Sequence, residues 1–211
     1  MQHQENDKTS QTFLNSKDLA LLKDRDLFLR KREVSDKINS LFSNCIEIIR
    51  GELSIYNELL PIEICSSNPK ITKGENYLGF PWTILDYPRY FDRDAIFALR
   101  LLCWWGNNFS ITLHLSGTYA DKYRAQLFSN WGKLRETDLL ICVNEDPWQH
   151  HHERNNYLLI KECEHDFNFY QDIAKQTGFI KICSIIPLEQ WNDLPKKCSE
   201  TSKLLFSLIG Q

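Results

Sequence analysis

Residues 95–117 read AIFALRLLCWWGNNFSITLHLSG, and the alternation in this stretch decides the fold. At period two, Phe97, Leu99, Leu101, Cys103 and Trp105 share one face of a first arm. Phe109, Ile111, Leu113 and Leu115 share one face of a second. Two half-buried strands joined by a short turn account for both patterns. Gly106-Asn107-Asn108 supplies residues that tolerate positive φ, so a three-residue hairpin loop fits there. That loop predicts the apolar pairs Trp105/Phe109, Cys103/Ile111, Leu101/Leu113 and Leu99/Leu115. On the opposite face it predicts Trp104/Ser110, Leu102/Thr112, Arg100/His114 and Ala98/Ser116. A slip of one residue sets leucine against arginine and histidine, so the register is expected to be firm.

Around the hairpin the chain organises by composition and period. Residues 1–14 are polar and aperiodic, which predicts disorder. Residues 15–60 read as a helical region, with Ser16 as an N-cap and a break allowed at Ser35-Asp36. Within it, Ile38, Leu41, Phe42, Cys45, Ile49, Leu53, Tyr56 and Leu60 follow the spacing of one helix face. Residues 61–211 read as an α+β domain forming one unit with those helices. Strands are expected over Tyr77–Leu85, in the two hairpin arms, and over Asp138–Val143, Tyr157–Lys161 and Phe179–Ile186. Helices are expected over Tyr119–Trp131, Asp166–Gln176 and Pro195–Ile209. The sum is α+β: N-terminal helices, a mixed or mostly antiparallel sheet of five to six strands with interleaved helices, and a C-terminal helix.

The 211 residues suffice to bury about 70% of the surface of the unfolded chain. A net charge of −3 gives no general electrostatic reason to expect nucleic acid or an anionic membrane as a partner. Seven cysteines without a CxxC, some inside apolar runs such as LLICVN and IKICSII, fit free thiols in a reducing compartment. The polar start MQHQENDKTS carries no apolar leader, so a cytoplasmic location is expected. Nucleotide-binding loops of the GxGxxG or GxxxxGK[ST] kind are missing, and no cofactor can be assigned.

One candidate site is the polar face of the hairpin. Arg100, His114, Thr112, Ser110 and Ser116 offer donors, and Thr83 adds a hydroxyl if the preceding strand joins the face. Arginine opposite histidine is eased by a neutral imidazole or by an anion bridging the two. Trp104 and Tyr87 would give apolar walls, with residues 85–92 read as an ordered loop closing over them. The leading expectation is therefore non-catalytic binding of a small anionic ligand or a protein partner, Arg100 and His114 fixing the anion. The ordinary alternative is a covered sheet face with Arg100 paired to a carboxylate such as Asp86.

Residues 144–153, NEDPWQHHHE, hold the other chemistry-bearing group. His150, His152, Glu145 and Asp146 are of types that ligate zinc, nickel or manganese, which makes a metal-dependent hydrolase the alternative function, with His114 or His165 joining. Neighbouring histidines on a regular element diverge, and the spacing matches no zinc pattern. Whether the chain is an enzyme is left open: no GxSxG and no Ser/His/Asp or Cys/His set can be assembled from sequence. The charged N-terminal helix, with Leu19, Leu22, Leu27 and Leu29 among mixed charges, is a candidate homo-oligomerisation arm.

Overall fold

The computed structural model describes residues 13–163 and 165–210. Of the segment expected to be disordered, residues 1–12 therefore lie outside the described residues. The chain divides into a short N-terminal unit, residues 1–37, and a main unit, residues 38–211.

In the N-terminal unit, α1 spans Ser16–Lys23. Its N-cap is Asn15 rather than Ser16: the Asn15 side chain accepts from the Lys17 and Asp18 amides, and the Asp18 carboxylate accepts from the Asn15 amide. This reciprocal box satisfies donors that a helix start otherwise leaves open. The helix ends at Asp24, whose carboxylate accepts from the Leu27 amide at 2.9 Å in the first turn of α2, Arg25–Ser54. The interruption thus falls at Asp24, not at Ser35-Asp36, because Asp24 uses its side chain to start a new helix.

Within the main unit follow α3 (Ile62–Cys65), β1 (Lys70–Tyr77), β2 (Phe80–Phe91), β3 (Ala95–Trp104), β4 (Asn108–Gly117), α4 (Thr118–Ser129) and α5 (Trp131–Arg135). Then come β5 (Leu140–Cys142), β6 (Tyr157–Leu159), α6 (Phe167–Thr177), β7 (Phe179–Pro187) and α7 (Leu194–Ile209). Seven strands form one sheet in the order β1-β2-β3-β4-β7-β5-β6, and every neighbouring pair is antiparallel. The fold is α+β as expected, with one strand more than the five to six foreseen. The additional strand is β1, KITKGENY, whose lysines, glutamate and glycine hide the period of two. Such a polar strand suits the sheet edge it occupies, where charge discourages pairing with other chains.

Leu78 and Gly79, both at positive φ, make the two-residue turn from β1 into β2. β2 then runs on through residues 85–91, so this stretch is a paired strand and not a loop. Its register with β3 shifts between Asp86 and Arg89. The bulge matters for the site because Asp86 pairs opposite Arg100, whereas Tyr87 joins the hydrophobic core.

The hairpin register differs from the sequence expectation by two residues. The observed pairs are Trp104/Asn108, Cys103/Phe109, Leu101/Ile111, Leu99/Leu113 and Phe97/Leu115, around the loop Trp105-Gly106-Asn107. Gly106, at φ +72°, takes the left-handed position of that loop. A shift of two leaves every side chain on its face and changes only its partner. Arg100 therefore stands opposite Thr112, and His114 opposite Ala98.

One face of the sheet carries the core. Phe97, Leu99, Leu101, Ile111, Leu113, Leu115, Ile180 and Ile182 pack there against Phe42, Cys45, Ile49 and Leu53 of α2, Ala120, Tyr123 and Leu127 of α4, and Leu205 and Phe206 of α7. Burial of this continuous apolar face supplies the main driving force for folding. At the β4–α4 junction Gly117 sits at φ +56°, where an added Cβ would meet the Asp94 carbonyl. The reversal from strand to helix there requires glycine.

Candidate functional site

The second face of the sheet is polar at its centre. Register places Asp86 of β2, Arg100 of β3, Thr112 and His114 of β4, and Lys181 and Cys183 of β7 on this face. Apolar groups flank them: Ile84, Leu102 and Trp104 on one side, Cys142, Tyr157, Phe179 and Cys183 on the other. The β5–β6 connection, residues 143–156, folds back over this centre. It brings the polar hairpin face and the histidine-rich segment together.

Lys181 pins that connection. Its ammonium donates to the Pro147 and Gln149 carbonyls at 2.9 and 2.7 Å and lies 5.3 Å from the centroid of the Tyr157 ring. The residue is 1% exposed and forms no ion pair with a carboxylate among the described residues. Burial pushes its pKa down, since the charged form loses solvation. Tyr77 holds the same segment from the sheet edge, its hydroxyl accepting from the His150 and His151 amides at 2.6 and 3.1 Å. Asn156, fully buried, donates to the His151 carbonyl at 2.5 Å, and its own carbonyl accepts from the Cys142 thiol.

Arg100 is engaged. Its Nε and Nη2 donate to the two Asp86 oxygens at 2.7 and 3.0 Å, a bidentate pair almost wholly removed from water. Its Nη1 lies 3.3 Å from His150 Nε2. The expected pairing of Arg100 with His114 is thus replaced by Asp86 and His150, both brought in by other segments.

Three imidazoles surround this group. His114, 2% exposed, is gripped edge-on by Trp148 and Phe179, and its Nε2 has no hydrogen-bond partner among the described residues. Burial, with Lys181 and Arg100 nearby, pushes its pKa down to about 3. The same causes push His150 down to about 2. His152 sits with Nδ1 3.4 Å from Asn108 Nδ2 and Nε2 3.5 Å from Cys183 Sγ. Burial and Lys181 push it down to about 4. All three are neutral at pH 7, where a proton on any of them would be buried near Lys181, and on His114 or His150 near Arg100 as well.

The remaining candidates are placed as follows. Thr112 is buried opposite Arg100. Trp104 is buried, its indole N–H donating to the Tyr77 carbonyl and its ring 5.3 Å from Tyr77. Tyr87 lies on the core side, 3% exposed, where it lines a cavity of about 260 Å³ with Arg50 of α2. Glu145 is exposed, and Asp146 accepts from the Trp148 amide and the Gln149 side chain, which lowers its pKa. His165 lies against Phe169 of α6, the ring centroids 4.1 Å apart. Among the described residues no group of three His, Cys, Asp or Glu side chains is placed to hold a metal ion. His150 and His152 instead serve separate contacts.

Cys183 next to His152 resembles a nucleophile beside its base, yet burial pushes the thiol up to about 11 and leaves it protonated. Sequence reasoning missed Lys181, Tyr77 and Asn156. The one available signal was Lys181 itself, a cation in the middle of the apolar run FIKICSII. No known family model, curated protein or solved structure matches the chain.

Proposed function

We propose that this chain is a non-catalytic binding protein whose N-terminal helices associate with those of a second copy. One observation carries the reading: α1 buries none of its residues, and Leu19, Leu21, Leu22, Leu27, Phe28, Leu29 and Val34 are all exposed, Leu22 at 58% and Leu29 at 56%. A helix as short as α1 is marginal in water without a packed face, and an apolar surface of this extent marks an interaction site. The charge pattern is compatible with a second copy. Both signs are interspersed along the segment, Lys17, Lys23 and Arg25 among Asp18, Asp24 and Asp26, and Glu33 and Asp36 among Arg30, Lys31, Arg32 and Lys37. A two-fold pairing repeats each apolar contact twice, and the interspersed charges let opposite signs meet around it.

Full-length protein with Leu22, Phe28 and Leu29 all changed to serine tests this. The triple variant is expected to sediment as a monomer where the parent chain is a dimer, with the thermal unfolding of the main unit unchanged. Equal association of the two proteins would contradict the reading. The seven free cysteines support a reducing, cytoplasmic setting for such a protein. No helix among the described residues is long and apolar enough to cross a membrane.

A second reading, binding of a small anion on the polar sheet face, is favoured by its charge count. Arg100 and Lys181 are both cationic there, and Asp86 is the one carboxylate paired with them among the described residues. An anion reaching His114 Nε2 and Lys181 would balance the excess, with Arg100, Thr112 and Trp104 around it and Tyr87 behind the sheet. Inorganic phosphate is then expected to raise the melting temperature of the parent chain and to have little effect on His114→Gln. A shift of the same size in both proteins would contradict the reading. The hydrolase alternative has less support, because His150, His152, Glu145 and Asp146 do not converge.

A further inference from the structure

The sheet ends at β6, and at that edge opens a cavity of about 340 Å³ between β6, the turn after it and α6. Its size falls at the lower end of small-molecule sites, about 300–1,000 Å³. Two opposite charges line it, Arg154 and Glu162. They form no ion pair with each other, and among the described residues neither side chain has an ion-pair or hydrogen-bond partner. Tyr157, Leu158 and Tyr170 supply an apolar and aromatic part of the lining. His152 also lines the cavity, so the same imidazole that touches Cys183 on the inside borders this space.

A cavity lined by a guanidinium and a carboxylate that do not pair, together with aromatic and aliphatic side chains, matches a ligand that carries both complementary charges and an apolar body. We propose that this cleft binds a free amino acid with an apolar side chain. The α-carboxylate meets Arg154, the α-ammonium meets Glu162, and the side chain lies against Tyr157, Tyr170 and Leu158. A bidentate guanidinium–carboxylate contact fixes the orientation, and the neutral His152 adds no competing charge. The site lies within the main unit and does not depend on association through the N-terminal helices.

Isothermal titration of the full chain with L-phenylalanine tests the proposal. Saturable binding is expected, weakened about tenfold by Arg154→Gln and about tenfold by Glu162→Gln. Both side chains are exposed and unpartnered among the described residues, so neither change disturbs folding. 3-Phenylpropionate, which lacks the ammonium, is expected to bind about tenfold more weakly than phenylalanine and to be indifferent to Glu162→Gln. Absence of saturable binding of phenylalanine at millimolar concentrations overturns the proposal. So does binding that neither substitution weakens, or equal binding of 3-phenylpropionate.

Discussion

Between pH 7 and pH 5 the stability of this fold is expected to fall by about 3–5 kcal/mol, because the unfolded chain takes up protons that the folded chain refuses. The protons go to His114, His150 and His152. In the unfolded chain each titrates near 6.5, whereas in the folded state burial and the Lys181 cation, with Arg100 also acting on His114 and His150, hold them at about 3, 2 and 4. A depressed pKa means that stability is complete above pH 6.5 and is lost as the pH drops toward the folded values. One imidazole kept neutral contributes roughly 2 kcal/mol of this loss by pH 5, and the half-buried settings of His150 and His152 reduce the sum below three times that figure. Urea unfolding at pH 7, 6 and 5 measures it, and His114→Gln should flatten the dependence. A loss under about 1 kcal/mol would mean that the 143–156 connection does not shield these rings.

Asp86→Ala is expected to cost about 3–5 kcal/mol, the largest effect of any single substitution on the polar face. The change strands the Arg100 guanidinium, which is nearly inaccessible to water and is left beside neutral groups such as His150 and the Phe91 ring, with no second carboxylate paired to it among the described residues. A buried charge without its counter-charge is far more costly than the pair was stabilising. The double change Asp86→Leu with Arg100→Met removes both charges and should return most of the loss. Denaturation midpoints of the parent, single and double variants decide the matter. A single variant within about 1 kcal/mol of the parent would show that water reaches Arg100 and that the face is open.

The residues of the hairpin show how far sequence carries this fold. Period two sorted Phe97 to Leu115 into the correct faces, since burial of one face enforces the sorting. Register within a face was not legible, because a shift of two residues conserves every apolar contact type and is settled by the turn, here Trp105-Gly106-Asn107. β1 stayed hidden because an edge strand is stabilised by backbone pairing and carries polar side chains.

The site was legible as residue types and not as a place. Arg100, Thr112 and His114 do share a face, and His150 does reach Arg100, but across 50 positions of sequence. What joins them is Lys181 donating to two backbone carbonyls and Tyr77 accepting from two backbone amides. Contacts to backbone leave no trace in the identity of the residues contacted. The same holds for Tyr87, sent to the core side by a bulge that no local motif announces.

Self-association through the N-terminal helices is the claim on which the functional account turns, and the mass of the full-length chain in solution tests it most directly. Sedimentation equilibrium over micromolar concentrations is predicted to return twice the 24.9 kDa chain mass. A single species at the mass of one chain across that range would contradict it and leave the exposed leucines of α1 and α2 without a partner in this protein.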